Sequence, residues 1–335
     1  MEETRSTTVR DVARAAGVSP GTVSKAINGT GSISPATRAR VLATAEELDY
    51  RPNDLARSVF ERRSFTVGMI TTDSFGRFSV PVMLGAEDAL GAGRISVFLC
   101  DSRDDPIRER HYIDVLQRRR VDGFIVTGRS SNPRPPLEVP RGMPVVYAHA
   151  PSTEPHATSV LIDDVRTGEL ATEHLIDTGR RRIAAITGPE RFLAAHQRVR
   201  GHLAALAAAG LEPVRSPLGG EWTEQWGRHA THLLLREHPD IDGIMCGSDL
   251  IARGVMDSLR ELGRSVPDDV AVVGIDNWEL IADGARPSLT SVDTNLQELG
   301  RTAAQRLLEA IDGRPRRGAE HIAPRLVIRE STELG

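Results

Sequence analysis

Short aliphatic segments alternate with amphipathic helical patterns along most of the chain, and this alternation limits the possible folds more than any other feature. Strand-type runs occur at residues 65–70, 95–99, 123–126, 145–148, 160–162, 183–187, 243–245 and 270–274. Helical patterns lie between them at residues 82–90, 107–119, 167–176, 198–209, 223–235 and 251–262. Strands separated by helices of this length predict parallel, doubly wound sheets, and there are too many for one sheet. We therefore predict an α/β core of two doubly wound parallel-sheet subdomains over residues 64–335.

The first sixty residues instead predict a small all-α domain. Thr8 and Asp11 have the spacing of a capping box, and Gly17 is placed to end the first helix. Ser19 followed by Pro20 begins a second helix that continues to about residue 28, and Ser34 followed by Pro35 begins a third. This arrangement is typical of a helix-turn-helix, whose second helix enters the major groove of DNA. A three-helix packing domain that binds nothing would show the same pattern.

Composition excludes several classes of protein. No apolar run approaches the roughly 18 residues of a membrane span, and the polar N-terminus lacks the apolar stretch of a secretory signal. The chain has 2 cysteines, too few for a disulfide framework. We therefore expect a cytoplasmic protein. The net charge of −4 argues against nonspecific coating of nucleic acid, although the only lysine, Lys25, lies on the second predicted helix.

Two segments at the N-terminus and several in the core resemble a known family. TVRDVARAAGVSPGTVSKAING and SPATRARVLATAEELDYRPNDLARSV carry the match first, and HLIDTGRRRIAAITGPE, CGSDLIARGVMDSL, SVPDDVAVVGIDN and LTSVDTNLQELG extend it. The chain thus resembles the lactose/galactose repressor family of bacterial transcription regulators over nearly its whole length. The resemblance implies a DNA-binding domain (1–52), a hinge helix and linker (53–63) and a periplasmic-binding-protein-like core (64–335). Its N-subdomain would comprise about 64–161 and 290–320, and its C-subdomain about 162–289 and 321–335.

The same resemblance implies a homodimer that binds a pseudo-palindromic operator and kinks it by inserting hinge side chains into the minor groove. Because no leucine heptads follow the core, we expect a dimer rather than a tetramer. Gly21, Thr22 and Lys25 would lie over base edges, and Val59, or Phe60 beside it, would be the wedge. The other implied DNA-binding residues are Thr8, Ser19, Pro20, Ser24, Asn28, Ser32, Ser34, Thr37, Asn53, Ala56 and Arg57.

A small-molecule effector, a sugar or sugar derivative, is implied between the two core subdomains. Asp276 follows a buried strand directly, where a carboxylate faces the cleft, although an aspartate that caps a turn would occupy the same place. Arg198 matches the family's effector-binding arginine, and Ser248 a contact position with Asp249 as a helix cap. The remaining candidates are Thr72, Phe75, Phe78, Tyr147, His149, His196 and Trp222.

Aromatic residues are scarce, 13 in 335, so the cores must be aliphatic and each ring has to be placed individually. Seven of them fall in predicted loops or strand ends on the side of the cleft: Phe75, Phe78, Tyr147, Phe192, Trp222, Trp226 and Trp278. Ring faces there would suit the CH-rich faces of a sugar. The Pro- and Arg-rich stretch 131–141 is interpreted as a surface loop.

We expect no catalytic site, no metal and no cofactor. The sequence contains no nucleophile elbow, no phosphate-binding Gly-rich lysine loop and no zinc-protease motif. The alternative function is that of a solute-binding protein with the same core and no role at DNA. The sequence leaves open the identity of the effector, whether it induces or co-represses, and the operator that is bound.

Overall fold

The computed structural model describes residues 7–28, 31–50, 63–91 and 95–333. It divides into an N-terminal unit, Met1–Ser64, and a core unit, Phe65–Gly335. Within the described ranges, no helix is both long enough and apolar enough to span a membrane. The predicted fold class, a small helical unit followed by two parallel-sheet subdomains, is confirmed.

Three short helices form the N-terminal unit: α1 (Val9–Ala16), α2 (Pro20–Asn28) and α3 (Pro35–Glu47). Thr8 and Asp11 form the predicted capping box of α1, and Gly17 ends that helix with a φ of 65°. The Ser34 hydroxyl accepts from the backbone N–H of Thr37 at 3.1 Å and so caps α3. The helices enclose a small aliphatic core. Local signals in the sequence therefore determine where these helices begin and end.

The first sheet of the core contains β1 (Thr66–Thr71), β2 (Ser96–Asp101), β3 (Gly123–Val126), β4 (Val145–Ala148), β5 (Thr158–Ile162) and β11 (Gly318–Ile322). All neighbouring strands are parallel, in the order β11-β5-β4-β3-β1-β2. The helices α4 (Ser79–Leu90), α5 (Pro106–Arg118) and α11 (Leu296–Ile311) pack with it. Apolar side chains of α4 and α11 form one aliphatic cluster with the inner strands.

The second sheet contains β6 (Ile183–Thr187), β7 (Leu218–Gly219), β8 (Gly243–Cys246), β9 (Ala271–Ile275), β10 (Thr290–Asp293) and β12 (Arg325–Val327). Its strands have the order β12-β10-β9-β8-β6-β7, and all neighbours are parallel except β10 and β12. The helices of this part are α6 (Asp164–Asp177), α7 (Leu193–Ala208), α8 (Glu224–Glu237), α9 (Asp249–Glu261) and the short α10 (Glu279–Ala282). Its two apolar clusters are almost entirely aliphatic.

The chain passes between the two sheets three times. β10 pairs in parallel with β9, so the second passage follows Asp293, slightly later than the predicted point near residue 290. Thr290, Ser291 and Val292 are completely buried, which gives this short strand its place inside the second sheet. The other two passages follow β5 and β11.

Three pairs of helices in the core cross where glycines let their backbones meet. A Cβ atom at any of six glycines would lie 1.8–2.2 Å from a carbonyl oxygen of the facing helix. The glycines are Gly85 and Gly300 between α4 and α11, Gly168 and Gly201 between α6 and α7, and Gly227 and Gly254 between α8 and α9. Each crossing therefore requires glycine from both helices.

We expect Gly201→Ala to lower the free energy of unfolding by about 1–3 kcal/mol, because the new methyl group would meet the Val165 carbonyl oxygen at 2.0 Å. On an exposed helix the same change would stabilise by roughly 0.5–1 kcal/mol, so the sign itself is informative. Urea denaturation measures the difference, with Ala204→Val on the exposed face of α7 as the control for added volume. A stabilised Gly201→Ala variant would contradict the close approach.

Candidate ligand-binding site

A cavity of about 100 Å³ lies between the two subdomains and is called the inner chamber here. Its lining comes from residues that follow strands of both sheets, as expected for ligand sites at the carboxyl ends of parallel strands. The lining residues are Arg77, Phe78, Arg129, Ser130, Ser131, His149, Phe192, Ala194, Arg198, Trp222, Ser248 and Asp276.

Arg198 on α7 is the central cation of the inner chamber and is only 4% exposed. Its Nε donates to the Asp164 carboxylate at 2.7 Å and one terminal nitrogen donates to the Gly247 carbonyl oxygen at 2.7 Å. The same terminal nitrogen lies 3.6 Å from the Asp276 carboxylate. Burial opposes the charge, but the carboxylates of Asp164 and Asp276 raise the pKa of Arg198. The guanidinium is thus fixed in place and holds the two buried carboxylates.

Asp276 directly follows β9 and has a φ of 104°, a conformation that non-glycine residues rarely adopt. The backbone on either side is held in place. The N–H of Asp276 donates to the Val292 carbonyl at 2.9 Å, and that of Asn277 to the Ser291 hydroxyl at 3.0 Å. Such strain at a cavity wall is typical of functional sites, and it turns the Asp276 carboxylate toward the chamber lining.

Asp249 lies close to Asp276, and it does not cap α9 as the sequence predicts. Ser248 caps α9, and the Asp249 side chain is completely buried. Its carboxyl oxygens accept from the Ser291 hydroxyl at 2.6 Å and from the Trp278 N–H at 2.7 Å. Burial, together with the nearby Asp276 carboxylate, raises the pKa of Asp249 to about 8.

Arg77 connects the two subdomains through the inner chamber. It belongs to the segment after β1, and its guanidinium donates to the Asp276 carboxylate after β9. The guanidinium carbon lies 5.1 Å from the centre of the Phe78 ring and 4.9 Å from that of Trp278. Arg77 therefore occupies the acidic side of the chamber in this structure.

Ring faces provide the apolar lining. Phe78 stacks on the His149 ring with centroids 5.1 Å apart, and Phe192 meets Trp222 edge-on at 6.0 Å. A Cβ atom at Gly188 would lie 2.2 Å from the Trp222 ring, so this glycine lets the indole lie against the end of β6. The chamber thus combines ring faces with carboxylates and guanidinium groups, a lining that can hold a flat molecule with polar edges.

His149 is a buried neutral group at the end of β4. Burial lowers the pKa of its imidazole to about 4, so the ring is uncharged at neutral pH. Its Nδ1 has no hydrogen-bond partner in the structure. A neutral imidazole with a free nitrogen can accept from, or donate to, a hydroxyl group of a ligand.

The structure brings six of the predicted effector residues together in the inner chamber: Phe78, His149, Arg198, Trp222, Ser248 and Asp276. Thr72 lies nearby, where the Arg129 N–H donates to its hydroxyl at 3.4 Å. Three further candidates are not among the residues that line the chamber. Phe75 is 99% exposed, His196 is exposed, and Tyr147 is buried in the other face of the first sheet, where its hydroxyl accepts from the Leu137 N–H at 2.7 Å.

Several chamber residues carried no signal in the sequence. Arg77 was hidden among 41 arginines, and its partner is 199 residues away along the chain. Ser131 lies in the segment interpreted as a surface loop, yet it is 6% exposed and lines the chamber. Trp226, in contrast, is a packing residue, because its Nε1 donates to the Thr187 carbonyl at 3.0 Å and its ring covers Gly220.

In the N-terminal unit, α2 presents a small polar surface. Val23 and Ala26 are buried, while Gly21, Ser24 and Lys25 on the same helix are exposed. Thr8, Ser19, Pro20, Ser32 and Ser34 are exposed as well, and Thr22 and Thr37 are half-buried. The hinge predictions Asn53, Ala56, Arg57 and Val59 lie outside the described residues, as does the side chain of Asn28.

Both the N-terminal unit and the core are similar to known proteins. Residues 8–53 match the family described as bacterial regulatory proteins, lacI family, and residues 172–332 match a periplasmic binding protein-like domain. The HTH-type transcriptional regulator CelR of Thermobifida fusca is 36% identical over 322 residues, 93% of this chain and 94% of that protein.

Two solved structures resemble the whole chain. A transcriptional regulator CelR–cellobiose complex has a TM-score of 0.67 at 34% identity, over 97% of this chain and 99% of its own. The lac repressor dimer bound to operator and the anti-inducer ONPF has a TM-score of 0.70 at 26% identity, over 98% and 99%. The extent and identity of these matches, added to the helix-turn-helix pattern and the cavity between two parallel sheets, show that this chain belongs to the lacI family of bacterial regulatory proteins.

Proposed function

We propose that this regulator represses transcription as a homodimer bound to an operator, and that a sugar in the inner chamber controls its affinity for that operator. The observation that carries the proposal is the chamber itself. It places ring faces beside a carboxylate and a fixed guanidinium, between two sheets of a chain that also has a helix-turn-helix unit. The similarity to a regulator solved with cellobiose supports a carbohydrate effector.

The DNA contact is assigned to the exposed side of α2. Lys25 is the only charged residue of this helix, and Gly21 leaves room for a base edge to approach. Lysine pairs with guanine in the major groove, whereas the exposed hydroxyls of Thr8, Ser32 and Ser34 suit phosphate oxygens. Because a bacterial operator lies in the cytoplasm, a protein that binds it acts there.

A second copy of the chain is the partner that the first sheet requires. The edge strand β2 leaves Phe98 41% and Leu99 38% exposed, and the neighbouring helix α4 exposes Val80 and Leu84 at 41% and 44%. Leu99 lies on the side of the sheet covered by α4, and Phe98 lies on the opposite side, below the Arg119 guanidinium. A monomer would leave these apolar groups along the edge strand exposed to water and to aggregation. We assign this edge to the homodimer.

The subdomain interface is the element on which the effector acts. The Arg77–Asp276 ion pair links the subdomains inside the chamber, and the Asn132 side chain links them nearby. A sugar that binds Asp276 competes with Arg77 and so favours a different arrangement of the subdomains. The change that the sugar causes in the free energy of operator binding is the allosteric coupling free energy.

The function is tested by two variants with opposite expected defects. Lys25→Ala should weaken specific operator binding by about 1–3 kcal/mol and leave sugar binding unchanged.

Trp222→Ala should weaken sugar binding at least about tenfold, because a stacking face is lost, and leave operator binding unchanged. Fluorescence anisotropy with DNA flanking the protein's own gene, with and without a panel of sugars, measures both.

Arg236→Ala is the charge-matched control for Lys25→Ala, because it removes one exposed positive charge from the core unit. If Lys25→Ala and Arg236→Ala lose the same small affinity, Lys25 does not read the operator. If no sugar changes operator affinity, the effector class is wrong. If the protein binds sugars but no DNA, the alternative of a solute-binding protein is correct.

A further inference from the structure

A second and larger cavity of about 690 Å³ adjoins the inner chamber and is called the outer chamber here. Arg129, Ser130 and Phe192 line both, so the two chambers are direct neighbours. Both subdomains contribute to the outer chamber, since Arg191 and Phe192 follow β6 whereas most other lining residues follow β1, β2 and β3. The Asn132 side chain holds these sides together, donating to the Arg191 carbonyl at 3.0 Å and accepting from the Leu193 N–H at 2.8 Å.

The inner chamber is too small to be the whole ligand site. Its volume of about 100 Å³ is below the roughly 300–1,000 Å³ of ordinary ligand pockets, whereas the two chambers together fall within that range. A ring bound against Phe78 and Trp222 would therefore have its remaining substituents directed into the outer chamber.

Unpartnered polar atoms continue from one chamber into the other. His149 and Ser131 line the inner chamber and Thr127 lines the outer one, and each has a buried polar side-chain atom, Nδ1, Oγ and Oγ1 in turn. All three residues are at most 6% exposed, and none of these atoms has a hydrogen-bond partner. Buried hydroxyl and imidazole groups are rarely left without partners, so these three groups are suited to the hydroxyls of a bound molecule.

The charges that line the outer chamber balance: four arginines (Arg110, Arg129, Arg134, Arg191) face four carboxylates (Asp104, Asp105, Glu109, Glu138). Three ion pairs account for most of them: Arg134 with Glu109, Arg110 with Glu138, and Arg129 with Asp104. Asp105 is occupied as the cap of α5, accepting from the Ile107 N–H at 2.8 Å. A wall with this balance has no excess charge for an ionic ligand and favours a neutral, hydroxyl-rich one.

We propose that the effector is a neutral oligosaccharide of at least two rings, with one terminal ring in the inner chamber and the next in the outer chamber. This inference rests on the proposed function and adds the length of the ligand to it. It also gives a role to the Pro- and Arg-rich loop 131–141, which forms one wall of the cleft and carries Ser131, Asn132 and Arg134.

Calorimetry of the full-length protein with sugars of one, two and three rings tests the proposal, using glucose against the β-1,4-linked and α-1,4-linked glucose series. We expect the preferred disaccharide to bind at least about tenfold more tightly than glucose, through the added hydrogen bonds and contacts. Equal affinity for one and two rings would overturn the outer-chamber assignment and leave the proposed function intact. If no sugar of any length binds, the carbohydrate function itself is wrong.

Two variants localise the second ring. Thr127→Val removes the unpartnered hydroxyl at nearly constant shape and should weaken disaccharide binding about fivefold without affecting glucose. Glu138→Trp places a large ring in the outer chamber from an exposed position and should abolish trisaccharide binding while glucose still binds. Both changes reducing glucose binding equally would show that the outer chamber is not a separate subsite.

Each variant has a matched control away from the cleft. Thr231→Val removes a hydroxyl that donates to the Gly227 carbonyl within α8, and Glu154→Trp adds the same indole at an exposed residue that lines neither chamber. Both controls should bind glucose and oligosaccharides as the unchanged protein does. A loss of the length preference in either control would also contradict the assignment.

Discussion

Arg198→Met should abolish the sugar-dependent change in operator affinity and lower the free energy of unfolding by about 3–5 kcal/mol. The guanidinium is the common partner of the buried Asp164 and Asp276 carboxylates and also donates to the Gly247 carbonyl. Methionine fills a similar volume but leaves the buried Asp164 carboxylate without its cation, and Asp276 with Arg77 alone. An effector would lose a fixed donor and find a rearranged Asp276, so binding and stability should fail together.

Urea denaturation measures the loss of stability in Arg198→Met. Fluorescence anisotropy with operator DNA, with and without sugar, measures the loss of the sugar response.

Arg215→Met is the control, because that residue makes a surface ion pair with Glu237, a pair that contributes about 0–1 kcal/mol. A deficit for Arg198→Met no larger than that for Arg215→Met would mean that the Asp164 carboxylate finds another partner. Retained sugar response in a folded Arg198→Met protein would remove Arg198 from the effector site.

The elements that the sequence predicts well are those whose determinants are local. A capping box at Thr8 and Asp11, a glycine at 17 and a Ser-Pro pair at 34–35 act within one helical turn, and the structure places helix ends at each. Asp276 was predictable in the same way, because it directly follows a buried strand.

The chamber was less predictable because its contacts join distant segments. Arg77 and Asp276 are 199 residues apart, and nothing in either sequence neighbourhood indicates that they pair. Phe75 and Phe78 lie in the same loop, and the sequence gives no reason to expect one ring to be more exposed than the other. The structure separates them because the Asp73 carboxylate accepts from the Phe78 N–H at 2.7 Å and draws Phe78 inward, while Phe75 is left almost fully exposed. Side-chain direction in a loop depends on such tertiary contacts.

Asp249→Asn should stabilise the protein near neutral pH, although it removes a carboxyl group with two good hydrogen bonds. Burial raises the pKa of Asp249 to about 8, against 3.8 in the unfolded chain. Between these values folding requires the carboxyl to take up a proton, which costs roughly 1.4 kcal/mol for each unit of pH. The stabilisation that comes from the protonated Asp249 carboxyl is fully present below the unfolded pKa of 3.8, and it is lost as the pH rises through the folded value of about 8.

Asparagine removes that requirement while it keeps the shape and can bond to Ser291 and to the Trp278 N–H. We expect a gain of about 1–3 kcal/mol at pH 7.5 that shrinks toward pH 5, measured by urea denaturation. Asp269→Asn is a control that should destabilise the protein near neutral pH. Hydrogen bonds from Ser265 lower the pKa of that exposed carboxyl, so its ionised form stabilises the fold at pH values above its unfolded pKa. If Asp249→Asn instead destabilises equally at both pH values, the Asp249 carboxylate is ionised in the folded protein. Its two hydrogen bonds would then outweigh the cost of burying the charge beside Asp276.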